Sequence, residues 1–349
     1  MDTMKPLLSF GTKAETLERI RPCVTRSTVP DILYFSVEDF EADECATVDR
    51  VREKFGSHEL VIRSSAQGED SADCSMAGAF HSCLRVDASD PDAIRTAIKK
   101  VRDSYGKGNG TDQILVQPMI GNIEMSGVIM TRDIDHGSPY YVINYDDESG
   151  STDSVTGGTG INKTVLVFRH CKPEQIRSKR IRQLVDMVRE VETFFPDQAL
   201  DIEFCTTRDG KLYLFQVRPM TVTANWNSAI ETEISNRLAH VEQFVRDRSH
   251  PRSGVSGQKT ILGEMPDWNP AEIIGTTPRP LAASLYREIV TRKIWRVARE
   301  EMGYQRLPGE ELMVVVGGRP FIDVRNSFNS FLPEGLDENV KEKLINAWI

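Results

Sequence analysis

The sequence predicts an α/β (α+β) protein in which alternating helices and strands give way to a strand-rich region, with a shorter mixed segment behind. Three observations predict it. Up to about residue 110, runs with helical periodicity alternate with short apolar runs. From Gly110 to Arg169, four apolar runs follow one another, separated by Gly, Asp and Asn turns and one long polar loop. Around Asp209-Gly210, a hairpin places apolar residues on one face and Asp, Glu, Gln and Arg on the other.

The elements follow in order. "AETLERI" reads as a helix behind a Gly-Thr-Lys turn, "DILYFSV" as a strand, and "VEDFEADECATVDRVREKF" as a helix with an acidic first turn. "ELVIR" is a strand. "DPDAIRTAIKKVRDSY" is an amphipathic helix with Ile94, Ile98 and Val101 on one stripe. "QILVQPMI", "MSGVIMTRD", "PYYVINYD" and "KTVLVFR" are expected to form one antiparallel sheet, and the polar, glycine-rich "DDESGSTDSVTGGTG" a lid-like loop. The helix "EQIRSKRIRQLVDMVREVETFF" precedes the Asp-Gly hairpin. After Thr223 come a polar helix and then "RDRSHPRSGVSGQKT", a linker by composition. The remainder reads as helix, a hairpin over "LMVVVGGRPFIDV", and helix.

A chain of 349 residues can hold about two to three domains. Its 39% hydrophobic and 27% charged residues are those of an ordinary globular protein. The net charge of −9 and the lack of a basic run give no support to a nucleic-acid partner. No apolar stretch approaches the ~18 residues that span a bilayer, and the N-terminus has no signal-peptide pattern, so no membrane partner is expected. Cys23, Cys45, Cys74, Cys83, Cys171 and Cys205 are scattered without a CxxC pair, which predicts reduced thiols in a cytoplasmic protein.

The chemistry concentrates in "LDIEFCTTRDGKLYLFQVRPM". A two-residue turn at Asp209-Gly210 pairs Arg208 with Lys211, Glu203 with Gln216 and Asp201 with Arg218. One face then carries Asp201, Glu203, Gln216 and Arg218, and the other Ile202, Phe204, Phe215 and Val217 as core. Glu203 with a neutral oxygen from Gln216 is a partial shell for Mg²⁺, an ion that keeps waters and shares phosphate oxygens. Arg218, oriented by Asp201, suits bidentate contact with a phosphate. Upstream, "VIRSSAQGEDSADCSMAGAF" follows Arg63 with small residues, among them Ser64, Ser65, Ser75, Ala77 and Gly78, whose backbone N–H groups can approach an anion. Lys13, at a helix N-terminus, is a third candidate cation. These residue types fit a polyphosphate held between two lobes, since phosphoryl transfer needs mainly positioning and charge neutralisation. No Walker A motif is present, "GTGINKT" lacking its second glycine. The six histidines show no metal spacing, and His250 sits before a proline without a glycine-rich scaffold.

Together these stretches resemble a known family. "VIRSSAQGEDSADCSMAGAF" is similar to the Arg-Ser-Ser-Ala…Glu-Asp…Ala-Gly signature of the ATP-binding domain of phosphoenolpyruvate synthase and pyruvate phosphate dikinase. "DIEF…LYLFQVRP" resembles that family's Asp-Ile-Glu and Gln-x-Arg-Pro strands, and "FGTKAETL" its Gly-Gly-Lys turn, with Thr12 in place of the second glycine. "ILVQPMI…MSGVIMTRD" occupies the place of its adenine-side hinge strand. The match runs over residues 8 to 222. It implies an ATP-grasp fold, two lobes with antiparallel sheets clasping ATP and Mg²⁺. Lys13, Arg63 and Arg218 would contact phosphates as the catalytic cations, with Ser75 and Gly78 in the phosphate loop. Glu203 and Gln216 would hold metal and nucleotide, and Gln117 to Met119 would line the adenine pocket through backbone.

Residues 1–110 and 111–222 are then expected to be the two lobes, 223–262 a helix and linker, and 263–349 the start of an acceptor or central domain that continues in a longer protein. "MPDWNPAEIIGTTPRPLAASLYREIV…RPFIDVRNSFNSFLP" resembles the middle region of the synthase-like capsule-biosynthesis proteins, the L-glutamine kinases among them. That resemblance implies a phosphohistidine swivelling domain, in cis or in trans, and a small-molecule acceptor such as glutamine. Trp268, Arg279, Arg325 and Asn329 would be candidate acceptor-side groups. A phosphoenolpyruvate synthase, an antibiotic phosphotransferase and a non-catalytic nucleotide-binding module are alternatives with the same ATP-binding part.

Overall fold

A computed structural model describes residues 7–66, 70–71, 74–75, 81–106, 110–134, 137–150, 163–220, 229–264 and 267–349. The chain divides into two compact units, Met1–Asn227 and Ser228–Ile349. Of the lid-like loop read over 146–160, the residues from 151 onward lie outside the described residues. No helix among the described residues is long and apolar enough to cross a membrane.

The first unit begins with α1 (Lys13–Ile20), β1 (Leu33–Ser36), α2 (Val37–Ala42), α3 (Glu44–Phe55), β2 (Glu59–Ser65), the two-residue strands β3 (Asp70–Ser71) and β4 (Cys74–Ser75), β5 (Ser82–Asp87), α4 (Pro91–Ser104) and β6 (Gln113–Pro118). Where one acidic helix was expected there are two, because Asp43 turns the chain and caps α3 by accepting from the Ala46 N–H at 2.9 Å. The antiparallel order is β1-β6-β2-β5. Ile94, Ile98 and Val101 of α4, all fully buried, pack on this sheet with Phe40, Val48 and Ile62.

Then come β7 (Ile123–Met130), β8 (Tyr140–Asp146), β9 (Lys163–Phe168), α5 (Lys179–Glu192), β10 (Leu200–Thr207) and β11 (Leu212–Pro219), with sheet order β11-β10-β7-β8-β9. Its core holds Leu184 and Val188 of α5, Ile143, Ile202 and Phe204, and also Leu17 and Ile20 of α1. The sequence placed "QILVQPMI" in this second sheet, and the structure corrects that. β6 lies in the middle of the first sheet, between β1 and β2. Its side chains explain why: Ile114 and Val116 enter the first core and Leu115 the second, so the strand needs cover on both faces.

Gly127 shows how tightly β7 and β8 meet. A Cβ there would lie 2.1 Å from the Asn144 carbonyl oxygen and 2.8 Å from the Tyr145 Cα, both backbone atoms that cannot swing away. Gly127→Ala is therefore expected to cost about 2–3 kcal/mol by forcing the strands apart, read as a lower urea midpoint at unchanged slope.

The second unit comprises α6 (Ala229–Ser249), β12 (Leu262–Gly263), α7 (Pro270–Ile274), α8 (Pro280–Tyr286), α9 (Ile294–Glu301), β13 (Met313–Val316), β14 (Arg319–Asp323), α10 (Val324–Asn329) and α11 (Glu338–Trp348). The expected hairpin turns at Gly317-Gly318, both at positive φ, in the sheet order β12-β14-β13. A small apolar core, including Trp295, Leu307, Leu312 and Ile322, is joined by a large buried polar network. Asp323, fully buried, accepts from Arg248 Nε at 3.1 Å, Arg252 Nη2 at 3.4 Å, Thr260 Oγ1 at 2.6 Å and the Asn326 N–H at 3.3 Å.

The segment read as a linker is fastened down. The buried Arg325 donates to the carbonyls of Arg248, His250 and Gly257. Asn329 bonds Ser256 through both its N–H and its carbonyl, each at 2.9 Å. These two acceptor-side candidates are thus taken up in holding backbone. Arg279 is an exposed residue at the start of α8. Trp268 sits at positive φ, and its carbonyl accepts from the Tyr286 hydroxyl.

Candidate functional site

The β10–β11 hairpin carries the polar face as the pleat requires. Asp201 lies opposite Arg218 and Glu203 opposite Gln216, while Ile202 and Val217 pair on the core side. Near the turn the pairing differs from the sequence reading. Thr207 donates its N–H to Lys211 O and Gly210 donates to Thr207 O, which closes a three-residue loop with Gly210 at φ +83°. Phe204 therefore faces Leu214, and a β-bulge at Phe215 restores the expected register from Glu203 onward. Leu214, fully buried, takes the core place expected for Phe215, which is only half-buried.

On the polar face, Arg218 Nε and Nη2 both donate to Asp201 Oδ2, at 2.9 and 2.6 Å. Both side chains are more than 80% buried, with 19% and 18% exposed. Burial pushes the Asp201 carboxyl above its ordinary pKa, with the Arg218 guanidinium pulling the other way. Gln216 is buried at 3% exposure. Cys205, the next residue after Glu203 and Asp201 on this face, is a fully buried thiol whose pKa burial pushes up to about 12. It stays protonated and apolar in character at neutral pH.

Arg63 reaches this face from the other sheet. Its Nη1 lies 3.6 Å from Glu203 Oε2, with the side chains 16% and 26% exposed. The contact joins the β2 end of the first sheet to β10 of the second. The N-terminus of α1 converges on the same place. Thr12 and Glu15 form a capping box. The Ala14 N–H donates to Ser65 Oγ at 2.9 Å, and Thr12 Oγ1 donates to Gln113 Oε1 at 2.6 Å. Lys13, the first residue of α1, therefore starts its helix beside the strand end that carries Arg63, Ser64 and Ser65. Sequence reasoning missed Gln113 and Tyr105, whose hydroxyl receives the Ser65 N–H at 3.1 Å. Nothing in their local pattern marks them, because their partners lie 101 residues away for Gln113 and 40 for Tyr105.

Gln117 sits at the far end of β6 and Met119 directly after that strand. The Met119 N–H is engaged by Glu59 O at 2.8 Å, so it is closed to a ligand. Met119 lines a cleft of about 500 Å³ together with Ile120, Asn122, Thr207 and Tyr213. Ser75 is part of the short β3–β4 ribbon, opposite Asp70. Gly78 lies outside the described residues. Three buried side-chain atoms around the site, Arg63 Nε, Gln117 Nε2 and Asp201 Oδ1, have no hydrogen-bond partner among the described residues. Buried polar atoms of this kind call for a partner such as a water, an ion or a polar ligand.

The sequence matches the family described as pyruvate phosphate dikinase, AMP/ATP-binding domain, over residues 10–156 and 154–238. The chain belongs to this family. With that, the two antiparallel sheets are those of an ATP-binding domain of the ATP-grasp fold. No curated protein matches the sequence. Among solved structures, the chain is similar to the D-alanyl-alanine synthetase A of Vibrio cholerae O1 biovar eltor, at 16% identity and TM-score 0.32, covering 59% of this chain and 52% of that one. It is similar to the D-alanine-D-alanine ligase of Coxiella burnetii at 13% identity and TM-score 0.35, covering 67% and 60%. It is also similar to the N5-carboxyaminoimidazole synthetase of Staphylococcus aureus at 11% and 0.33, covering 60% and 43%.

Proposed function

We propose that this chain is the ATP-binding half of a dikinase-type phosphotransferase. It phosphorylates a histidine on a swivelling domain, in cis or in trans, for transfer to a small acceptor, the side-chain amide of L-glutamine in capsule phosphoramidate biosynthesis. The observation that carries the phosphate part is the Arg63–Glu203 contact, which brings a cation of one sheet onto the acidic face of the other beside the Asp201-held Arg218. Family membership supports ATP as the substrate. The resemblance of residues 263–349 to the capsule-biosynthesis proteins supports the acceptor.

The residues fit MgATP. Arg63 and Arg218 are largely buried guanidiniums, one with an unmet Nε, and such forks match phosphate oxygens. Asp201 fixes the plane of Arg218, so little ordering remains when phosphate arrives. Glu203 and Gln216 would hold Mg²⁺, which supplies charge neutralisation at the phosphate oxygens. Among the described residues no cluster of three or more His, Cys, Asp and Glu is placed to hold a metal by itself. A magnesium ion here would depend on the nucleotide for much of its shell.

The test is product analysis. The chain is supplied with MgATP, the swivelling domain, and L-glutamine or pyruvate in turn, and the nucleotide released is identified. AMP with L-glutamine as acceptor is expected. ADP alone would make it a simple kinase, and binding without turnover a nucleotide-binding module.

A further inference from the structure

The second unit contains a cleft of about 460 Å³ whose lining combines three arginines, Arg248, Arg252 and Arg287, with Glu310 and Glu311 and an apolar floor of Phe244 and Met313 to Val315. None of these residues belongs to the phosphate site. Two of the arginines already pair with the cleft's own glutamates. Arg287 makes a two-pronged pair with Glu311, at 2.9 and 2.8 Å. Arg252 donates to Glu310 Oε2 at 2.7 Å and to Asn326 Oδ1 at 2.8 Å.

Arg248 is different. Its Nε is held on the buried Asp323 at 3.1 Å, and its guanidinium carbon lies 5.9 Å from the Phe244 ring centroid. Its Nη1 and Nη2 make no hydrogen bond among the described residues and are not sealed from solvent. A guanidinium anchored at one edge, with its other two nitrogens open, is pre-organised for a carboxylate. Glu310 is the counterpart. Its Oε2 accepts from Arg252 and, at 3.0 Å, from Asn326 Nδ2, while its Oε1 has no partner among the described residues. The cleft therefore offers one open cationic fork and one open carboxylate oxygen, tied to each other through Arg252 and Asp323.

We infer that this cleft binds a small zwitterion, an α-amino acid, with its carboxylate on Arg248 and its ammonium on Glu310. The floor favours an aliphatic stem. The inference rests on the phosphotransferase reading, for which it supplies the acceptor site. The signal in the sequence was split between "RDRSHPRSG" and "PGEEL", each of which reads locally as solvated loop.

The test is isothermal titration of the full chain with L-glutamine, L-glutamate and L-alanine, with N-acetyl-L-glutamine and L-glutaminamide removing one charge at a time, and with inorganic phosphate. L-glutamine is expected to bind, and each single-charge analogue to bind at least about tenfold more weakly, one charge-assisted contact being lost. Val315→Trp, at a half-exposed position of the floor, should abolish binding at unchanged melting temperature. Arg248→Gln should weaken it about tenfold or more. Binding of no amino acid, binding of phosphate alone, or Val315→Trp binding as the parent does would overturn the inference. MgATP titrated into the same samples separates the two levels. If the parent binds MgATP and no amino acid, only the acceptor site is refuted; if it does not bind MgATP, the phosphotransferase reading itself fails.

Discussion

Arg218→Ala is expected to weaken MgATP binding on the order of 10²-fold, with Glu203→Ala close behind. Each charge-assisted hydrogen bond contributes roughly 1.5–3 kcal/mol, and a bidentate guanidinium makes two. The effect is large because Arg218 is mostly buried and already held flat by Asp201, so its charge is poorly screened and its geometry is fixed before ligand arrives. Titration calorimetry reads it directly, with the melting temperature followed alongside because Asp201 loses its partner. Arg218→Lys keeps the charge but not the fork and should recover only part of the affinity. Parent-like affinity in both alanine variants would mean that the polar face of β10–β11 does not meet phosphate.

Asp323→Ala should have the largest effect on stability, about 3–5 kcal/mol, the usual cost of removing one partner of a buried ion pair. Two arginines, a threonine hydroxyl and a backbone N–H converge on this one carboxylate, which has no exposure to water. The apolar core of the second unit is small and cannot absorb that loss. Thermal unfolding should show an early transition for Ser228–Ile349, while MgATP binding by the first unit persists. A single unshifted transition would show that the network is not what holds the unit together.

The sequence made the polar face legible because strand parity is a hard constraint: residues two apart share a face whatever the turn does nearby. The turn itself was misread. A three-residue loop and a bulge at Phe215 displace the register in opposite senses, so the far end of the hairpin came out as expected and the near end did not. A bulge has no strong local signal, and Phe215 looked like any other core residue. β6 was misplaced because adjacency in sequence favoured a hairpin with β7. Only the burial of Leu115 opposite Ile114 and Val116 reveals a strand covered on both sides. Residues 248–260 have the composition of a linker, but the groups that fasten them, Arg325, Asn329 and Glu342, lie some seventy or more positions downstream. The candidate phosphate ligands were read individually; the contact between Arg63 and Glu203, which brings two of them together, exists only in three dimensions.

Amide hydrogen exchange with and without MgATP tests the two-sided site most directly. If Arg63 on β2 and Glu203, Gln216 and Arg218 on β10–β11 close on one nucleotide, peptides covering 59–65 and 200–219 will slow together and with the same dependence on MgATP concentration. Slowing confined to one of the two segments, or absent from both at saturating MgATP, would contradict it.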